Sequence, residues 1–104
     1  MWIYGLEERF FGPGRIELLE NIKKTGSINK AAKAMNMSYK KAWEMVNSMN
    51  NQTTTPLVIT HTGGKEGGSA EITEAAVYLI AFFNAMHQRF QAYLLEEAKQ
   101  ILEG

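Results

Sequence analysis

The sequence contains 104 residues, with 11 basic and 11 acidic side chains and no cysteine. This length suits a single domain with a modest core, and the lack of cysteine excludes disulfide bonds and thiolate metal sites. No apolar run reaches the ~20 residues of a membrane-spanning helix, and the N-terminal segment MWIYGLEERF lacks the pattern of a signal peptide. We therefore expect a soluble, cytoplasmic protein that makes no contact with a membrane.

The N-terminal region predicts a short strand followed by a helix. Residues 1–11 are rich in aromatic side chains that alternate with others, as in a strand, and Gly12-Pro13-Gly14 ends the pattern. Pro13 suits the first position of a helix. Apolar residues then predict a helix over 13–25 that completes a three-helix core; they are Ile16, Leu18, Leu19 and Ile22.

The segment from Thr25 to Asn50 has the pattern of two short helices joined by a tight turn. Gly26 suits the end of the preceding helix, Ser27 and Ser38 can cap the two helices, and Asn36 tolerates a positive φ in the turn. Three alanines, Ala31, Ala32 and Ala42, allow the helices to approach closely. The pattern predicts a helix-turn-helix, whose second helix can enter the major groove of DNA; the alternative is an ordinary helical hairpin.

The second helix carries side chains that suit contact with DNA. Lysines can neutralise phosphates, and hydroxyl or amide groups can bond to base edges. The positions that we predict to be exposed are Ser38, Tyr39, Lys40, Lys41, Glu44, Asn47 and Ser48. Trp43, like Trp2, is predicted to fill the core.

Two further segments predict a β-hairpin directly after this helix. Residues 57–62 (LVITHT) and 70–73 (AEIT) read as strands, joined by the glycine-rich turn GGKEGG. Three helices followed by a hairpin form a winged helix, and Lys65 at the tip could reach a phosphate or the minor groove. The turn does not match the GxxxxGK[ST] pattern of a P-loop.

Charge is unevenly distributed along the chain. Seven lysines and a single acidic residue, Glu44, lie between Lys23 and Lys65, whereas both flanks are acidic. A basic middle is the electrostatic footprint of nucleic-acid binding; a solvated lysine face is the alternative.

A long helix is predicted over 74–102, with Thr73 as its cap. One apolar line has heptad-like spacing and predicts a dimer seam; it contains Ile72, Ala76, Leu79, Phe83, Met86, Phe90 and Tyr93. A second line could face the winged domain; it contains Val77, Ile80, Ala81 and Leu94. The alternative is that both lie within one chain's core. The second helix of the helix-turn-helix is called the recognition helix. A symmetric dimer would place its two recognition helices about 34 Å, or a multiple of that, apart.

The SYKKAW segment (Ser38–Trp43) and the TGGKEGG segment (Thr62–Gly68) together resemble the N-terminal DNA-binding domain of the ModE family of molybdate-responsive regulators. The helix-turn-helix itself is shared more widely, including with LysR-type regulators. The resemblance implies a winged-helix dimer that binds operator DNA through its recognition helix and wing. Full-length ModE proteins also carry a C-terminal molybdate-binding region, which the sequence up to Gly104 lacks, so we expect no direct molybdate binding.

Catalysis is not indicated. The chain has two histidines, His61 and His87, and no aspartate, and it shows neither a Ser/His/acid set nor a metal-ligand spacing. We therefore predict no enzymatic activity, no cofactor and no metal site. His87 is interpreted as a partly buried structural residue.

These observations predict a mainly α fold with a small β-hairpin: a winged helix-turn-helix over residues 1–73, with its wing at 57–73, followed by a dimerisation helix over 74–104. The predicted function is sequence-specific DNA binding by a dimeric transcriptional regulator; the alternative is a winged-helix protein-interaction module. The predicted DNA contacts are Ser27, Ser38, Tyr39, Lys40, Lys41, Glu44, Asn47 and Lys65. The predicted dimer contacts are Leu79, Phe83, Met86, Phe90 and Tyr93.

Overall fold

The computed structural model describes residues 3–4, 9–62 and 68–103. Within these ranges lie four helices: α1 (Pro13–Thr25), α2 (Ile28–Ala34), α3 (Tyr39–Asn51) and α4 (Glu74–Glu103). They also contain four strands: β1 (Ile3–Tyr4), β2 (Arg9–Phe11), β3 (Val58–His61) and β4 (Ser69–Ile72). This arrangement confirms the predicted mainly α fold with a helix-turn-helix and a hairpin wing.

Local capping sets the boundaries of the first three helices, as the sequence predicts. Gly26 follows α1 with φ 71°, in the left-handed region that favours glycine. The Ser27 hydroxyl accepts the Lys30 N–H at 3.1 Å and the Ser38 hydroxyl accepts the Lys41 N–H at 3.0 Å. Asn36 adopts φ 55° in the turn between α2 and α3. Four short-range features thus define the helix-turn-helix.

The core lies where α1, α2 and α3 meet the start of β3 and the first turns of α4. Leu18, Leu19 and Ile22 of α1 are completely buried, and Ala31 and Ala42 bring α2 and α3 close together. The remaining buried apolar residues are Ile16, Ile28, Ala32, Val46, Met49, Leu57, Val58, Ala70, Ala76 and Phe83. The described residues bury no charged side chain in this core.

The wing strands β3 and β4 pair antiparallel, with Val58 opposite Ile72 and His61 opposite Ser69. The Ala70 N–H of β4 donates to the Gly26 carbonyl at 2.9 Å, outside the wing. Within the wing, the Thr73 N–H donates to the Leu57 carbonyl at 3.0 Å and closes the base of the hairpin. The wing is therefore anchored at the turn that precedes the helix-turn-helix.

The predicted single strand over residues 1–11 is wrong. The chain forms two short strands instead, β1 and β2, which pair antiparallel with Ile3 opposite Phe11. A strand needs a partner for its backbone groups, and residues 9–11 supply it by folding back. Trp2, predicted to fill the core, lies outside the described residues.

The first apolar line of α4 is divided between the core of its own chain and solvent. Ala76 is fully buried and Phe83 is 3% exposed, both inside the chain's own core. Leu79 and Met86 are half-buried and pack against that core. Phe83 was predicted to contact a partner chain, but the core of its own chain encloses it.

The line predicted to face the winged domain is largely exposed instead. Val77 is 43% and Leu94 is 49% exposed, and Ala81 is also exposed, whereas Ile80 is half-buried. Ala76 has the small side chain that permits close contact with α1, and Val77 lies about 100° further round the helix. From residue 88 onward every described side chain is exposed. The second half of α4 therefore extends beyond the domain.

Gly68 gives a test of the wing's geometry. Its φ is 117°, and a Cβ there would lie 2.6 Å from the His61 carbonyl oxygen. We expect Gly68→Ala to lower the free energy of unfolding by about 1–3 kcal/mol, measured by urea denaturation. Gly14→Ala is the matched control because a Cβ at Gly14 meets nothing within 4 Å, so it should be neutral or stabilising by about 0.4–1 kcal/mol. Equal stability of the two variants would contradict this account.

Candidate nucleic-acid interface

Helix α3 presents a polar face to solvent while its opposite face is held in the core. Ala42, Val46 and Met49 are buried, each with at most 1% exposure. The exposed residues on the other side are Ser38, Tyr39, Lys40, Lys41, Glu44 and Asn47. Lys40, Glu44 and Asn47 recur at intervals of four and three, so they form one stripe along the helix.

Ser48 differs from the prediction that it would be exposed. It is half-buried, because the Arg15 Nη1 of α1 donates to its hydroxyl at 2.9 Å and the Gln52 amide lies 3.3 Å from the same oxygen. This contact ties α3 to α1 near the end of the exposed stripe. Ser48 therefore helps to hold the recognition helix and presents little surface to a ligand.

The two aromatic residues at the start of α3 pack against each other. The rings of Tyr39 and Trp43 meet edge to face, with centroids 6.2 Å apart and planes at 86°, a favourable geometry for aromatic pairs. Tyr39 is 50% exposed, whereas Trp43 is half-buried and packs against the core. Trp43 thus fills the edge of the core, as predicted for a core aromatic, and also supports Tyr39 at the surface.

A groove of about 780 Å³ lies between the helix-turn-helix and the wing. It is lined by Thr25, Gly26, Ser27, Ile28, Asn29, Lys30, Lys33, Tyr39, Trp43, Thr60, His61, Thr62, Gly68, Ser69 and Ala70. Most of these side chains can donate hydrogen bonds, and two are lysines. The groove could therefore accept an anionic, extended ligand.

Lys30 and Lys33 are functional candidates that the predicted site omitted. Both are exposed on α2 and line the groove beside Tyr39 and Trp43. Their three-residue spacing places them on one face of α2, a signal that the sequence did contain. Because the first helix of a helix-turn-helix crosses the DNA backbone, these positions suit phosphate contacts.

The lysines of the basic middle do not all lie on one surface. Lys23 and Lys24 line a separate groove of about 320 Å³ between α1 and α4, together with Glu20, Val77 and Ile80. The remaining described lysines of this segment lie on α2 and α3. Lys65, predicted at the wing tip, lies outside the described residues.

Ser27, predicted to contact DNA, uses its side chain to cap α2. Its hydroxyl caps α2 and its side chain is half-buried at the edge of the groove. Ser38 caps α3 in the same way but is exposed. Each hydroxyl retains one lone pair and its hydrogen for another partner.

The histidines occupy structural or surface positions. His61 is 57% exposed and lies 3.4 Å from Glu71 on the neighbouring strand. The ring of His87 stacks on Phe83, with centroids 5.9 Å apart. Across the ranges that the structure describes, no cluster of three His, Cys, Asp or Glu side chains could hold a metal ion.

Comparison with known proteins places this architecture in a family. The sequence model of the bacterial regulatory helix-turn-helix protein, lysR family, matches residues 14–77. The chain belongs to this family. The match covers α1, the helix-turn-helix, the wing and the first turn of α4.

Several curated relatives of this LysR-family chain are ModE proteins, which confirms the resemblance seen in the sequence. It is 41% identical over 80 residues to the molybdenum transport protein ModE of Azotobacter vinelandii, covering 77% of this chain and 30% of that protein. It is 40% identical over 84 residues to the DNA-binding transcriptional dual regulator ModE of Escherichia coli K12, covering 80% of this chain and 32% of that protein. The chain thus spans about a third of the length of these relatives.

Solved structures share the fold at low sequence identity. LysG from Corynebacterium glutamicum superposes with a TM-score of 0.61 at 19% identity, covering 90% of this chain and 30% of that one. ArgP from Mycobacterium tuberculosis gives a TM-score of 0.57 at 18% identity, covering 85% of this chain and 31% of that one. Among the helices of residues 9–62 and 68–103, none combines the length and apolar character needed to cross a membrane.

The role of Ser38 as the N-cap of α3 can be tested by two substitutions. Ser38→Ala removes the cap on the Lys41 N–H and should lower the free energy of unfolding by about 1 kcal/mol. Ser38→Asn retains a capping oxygen and should leave stability close to wild type, while it changes the group that faces outward. Thermal denaturation of both variants measures the cap. Equal losses of stability in both would contradict the capping role.

Proposed function

We propose that this chain is a transcriptional regulator that binds double-stranded operator DNA as a homodimer, with α3 in the major groove. The observation that carries the proposal is the polar stripe on α3, held outward by a helix whose other face is fully buried. The description of the Escherichia coli relative as a DNA-binding transcriptional dual regulator supports it. Because a bacterial chromosome lies in the cytoplasm, the proposal includes that location.

The proposed contacts divide by chemistry. Asn47, Ser38 and one of Lys40 or Lys41 contact base edges, since amide, hydroxyl and ammonium groups complement the major-groove pattern. The other lysine of that pair, with Lys30 and Lys33 along the groove, neutralises phosphates. Lys65 remains the proposed wing contact. Glu44 belongs to the stripe, and Tyr39 and Ser27 line the groove proposed to receive the phosphates.

The proposal includes no catalytic activity. The second candidate function is that of a protein-interaction module built on the same winged helix. That module needs an exposed apolar patch on the helix-turn-helix. On α3, Tyr39 is the exposed large apolar side chain among the described residues, whereas most of the others lie on α4. This distribution favours DNA as the ligand of α3 and a protein partner for α4.

The proposed partner for α4 is a second copy of this chain. Its exposed apolar side chains fall into two groups, Val77, Tyr78 and Phe82 near the start, and Phe90, Tyr93, Leu94, Leu95, Ile101 and Leu102 further on. Such a surface on a long helix needs covering. Of the predicted seam, Phe90 and Tyr93 remain available, while Leu79 and Met86 are half-buried at its edge. The proposal keeps the division into a DNA-binding domain over residues 1–73 and a dimerisation helix over 74–104, although Ala76 and Phe83 of that helix are buried in the core of the domain.

Charge favours antiparallel pairing of the two α4 helices. The groove beside Val77 has two lysines, Lys23 and Lys24, against one acid, Glu20. The other end of the helix has more acidic than basic side chains, with Glu96, Glu97 and Glu103 against Lys99. Antiparallel helices bring these opposite charges together, whereas parallel helices bring like charges together. An exposed line with heptad spacing suits this arrangement: Val77, Ala81, Asn84, Gln88, Gln91, Leu95, Ala98 and Leu102. Its midpoint lies between Gln88 and Gln91, where the two-fold axis would pass.

Lys41→Ala tests the DNA-binding face. Operator sites are first selected from a pool of duplex DNA with the wild-type protein, and affinity is then measured at two salt concentrations. If Lys41 reads a base, its loss should weaken operator binding by about 1–3 kcal/mol and relax selection at one position. If it contacts a phosphate, the loss should be similar for all sequences and the salt slope should fall by about 1.

Lys99→Ala is the control for this measurement, because Lys99 lies on the exposed second half of α4, away from α3. Its affinity should match wild type at protein concentrations where both are dimers. Absence of any salt-dependent DNA binding by the wild-type protein would count against the proposed function and favour the interaction module.

Cysteine cross-linking tests the dimer, since the chain has no native cysteine. In an antiparallel pair, Gln88→Cys lies within half a turn of the axis and should form a disulfide with its own copy under mild oxidation. Val77→Cys should instead cross-link when mixed with Leu102→Cys. Efficient self-linking of Val77→Cys would indicate parallel helices, and a monomer at all concentrations in sedimentation would exclude the dimer.

A further inference from the structure

Asn50 joins the recognition helix directly to the wing. It lies in the last turn of α3, and eight residues later the chain enters β3. Its Oδ1 accepts the N–H of Leu57 at 2.8 Å and that of Val58 at 3.2 Å. Its Nδ2 donates to the Val58 carbonyl at 3.0 Å. The orientation of the amide is determined, because a flipped amide would direct its NH₂ group at two N–H donors.

The Asn50 side chain takes the place of a neighbouring strand. Val58 lies opposite Ile72 on β4, yet both its N–H and its carbonyl bond to Asn50. In an antiparallel ladder, alternate residues direct both backbone groups away from the paired strand. Asn50 therefore satisfies the free edge of β3 at the point where that strand leaves the core.

The backbone groups bonded to Asn50 belong to buried residues. Leu57 and Val58 are 0% and 3% exposed, and Met49 beside Asn50 is fully buried. Backbone groups that lose their partner in such surroundings are costly to leave unpaired. The three bonds of Asn50 therefore join the start of β3 to α3 directly, in addition to the loop over residues 52–56 that connects them.

Asn50 is not placed to contact DNA itself. It is half-buried and lies one turn after Val46, on the side of α3 that faces the core and the wing. The exposed stripe through Lys40, Glu44 and Asn47 ends one turn earlier, and Asn47 lies about 60° round the helix from Asn50. Because its amide is bonded to Leu57 and Val58, we expect any effect of Asn50 on DNA binding to act through the wing.

We infer that Asn50 is a positioning residue that sets the angle between the wing and the recognition helix, so that both reach one DNA duplex together. The part of this inference that concerns DNA rests on the proposed function. The part that concerns the angle stands on the three hydrogen bonds and the burial of the junction. The two parts can be tested separately.

The angle is tested without DNA by NMR residual dipolar couplings on the full chain. In Asn50→Ala, the amide couplings of β3 and β4 should no longer fit the orientation that fits α1–α3 in wild type. Asn51→Ala is the matched control, because Asn51 is the adjacent, exposed last residue of α3; its couplings should fit unchanged. Wild-type orientation of the wing in Asn50→Ala would overturn the inference.

A second variant keeps the test decisive if Asn50→Ala does not fold. Asn50→Asp retains both accepted bonds and removes the donated one, so the wing should deviate less than in the alanine variant but measurably from wild type. Unchanged couplings in Asn50→Asp, with Asn50→Ala unfolded, would assign Asn50 a role in stability alone and overturn the inference.

The effect on binding is measured on the selected operator. Asn50→Ala, at temperatures where it is fully folded, should bind about tenfold more weakly, and the slope of log affinity against log salt should become shallower because wing phosphate contacts are lost. A merely stabilising residue would change the unfolding temperature but not this slope. If the wild-type protein binds no DNA, the proposed function fails while the dipolar couplings still decide the angle.

Discussion

Burial of the apolar face of α1 is the interaction on which the rest of the structure depends. Leu18, Leu19 and Ile22 are completely buried, and α1 contacts α2, β4 and the first half of α4. Each completely buried aliphatic side chain stabilises the fold by about 1.5–3 kcal/mol. Arg15 adds a bond to Ser48 of α3. The recognition helix, the wing and the terminal helix are thus positioned by one thirteen-residue element that has no proposed contact with DNA.

The same arrangement separates the surfaces by chemistry. The face formed by α2, α3 and the wing presents hydroxyl, amide and ammonium groups around an open groove. The far end of α4 presents mainly apolar and acidic side chains. Lys23 and Lys24, which belong to the basic segment in sequence, lie on the α4 side. Lysines that are close in sequence therefore lie on different surfaces. The turn at Gly26 separates Lys23 and Lys24, on the α4 side, from Lys30 and Lys33, which line the groove beside the wing.

Features with short-range causes were predictable from the sequence. The caps at Ser27 and Ser38, the left-handed Gly26 and the positive φ of Asn36 depend on residues within one turn, and all four are confirmed. Features that depend on distant partners were not. The strand over residues 1–11 divides because it pairs with itself, and the apolar lines of α4 are assigned by packing against α1. The three bonds of Asn50 exist only because the loop after α3 folds back onto it.

The exposed second half of α4 has a consequence for how the protein folds. Residues 88–103 form 16 helical residues without a buried side chain. This length is close to the limit of about 12–15 residues below which an isolated helix is marginal in water, and within the chain this half is supported only by continuity with the first. Pairing with another chain would supply the missing contacts, so order in this segment would be linked to association. If α4 pairs as proposed, its second half would gain its missing contacts only in the paired molecule, and the stability of that helix would rise with protein concentration.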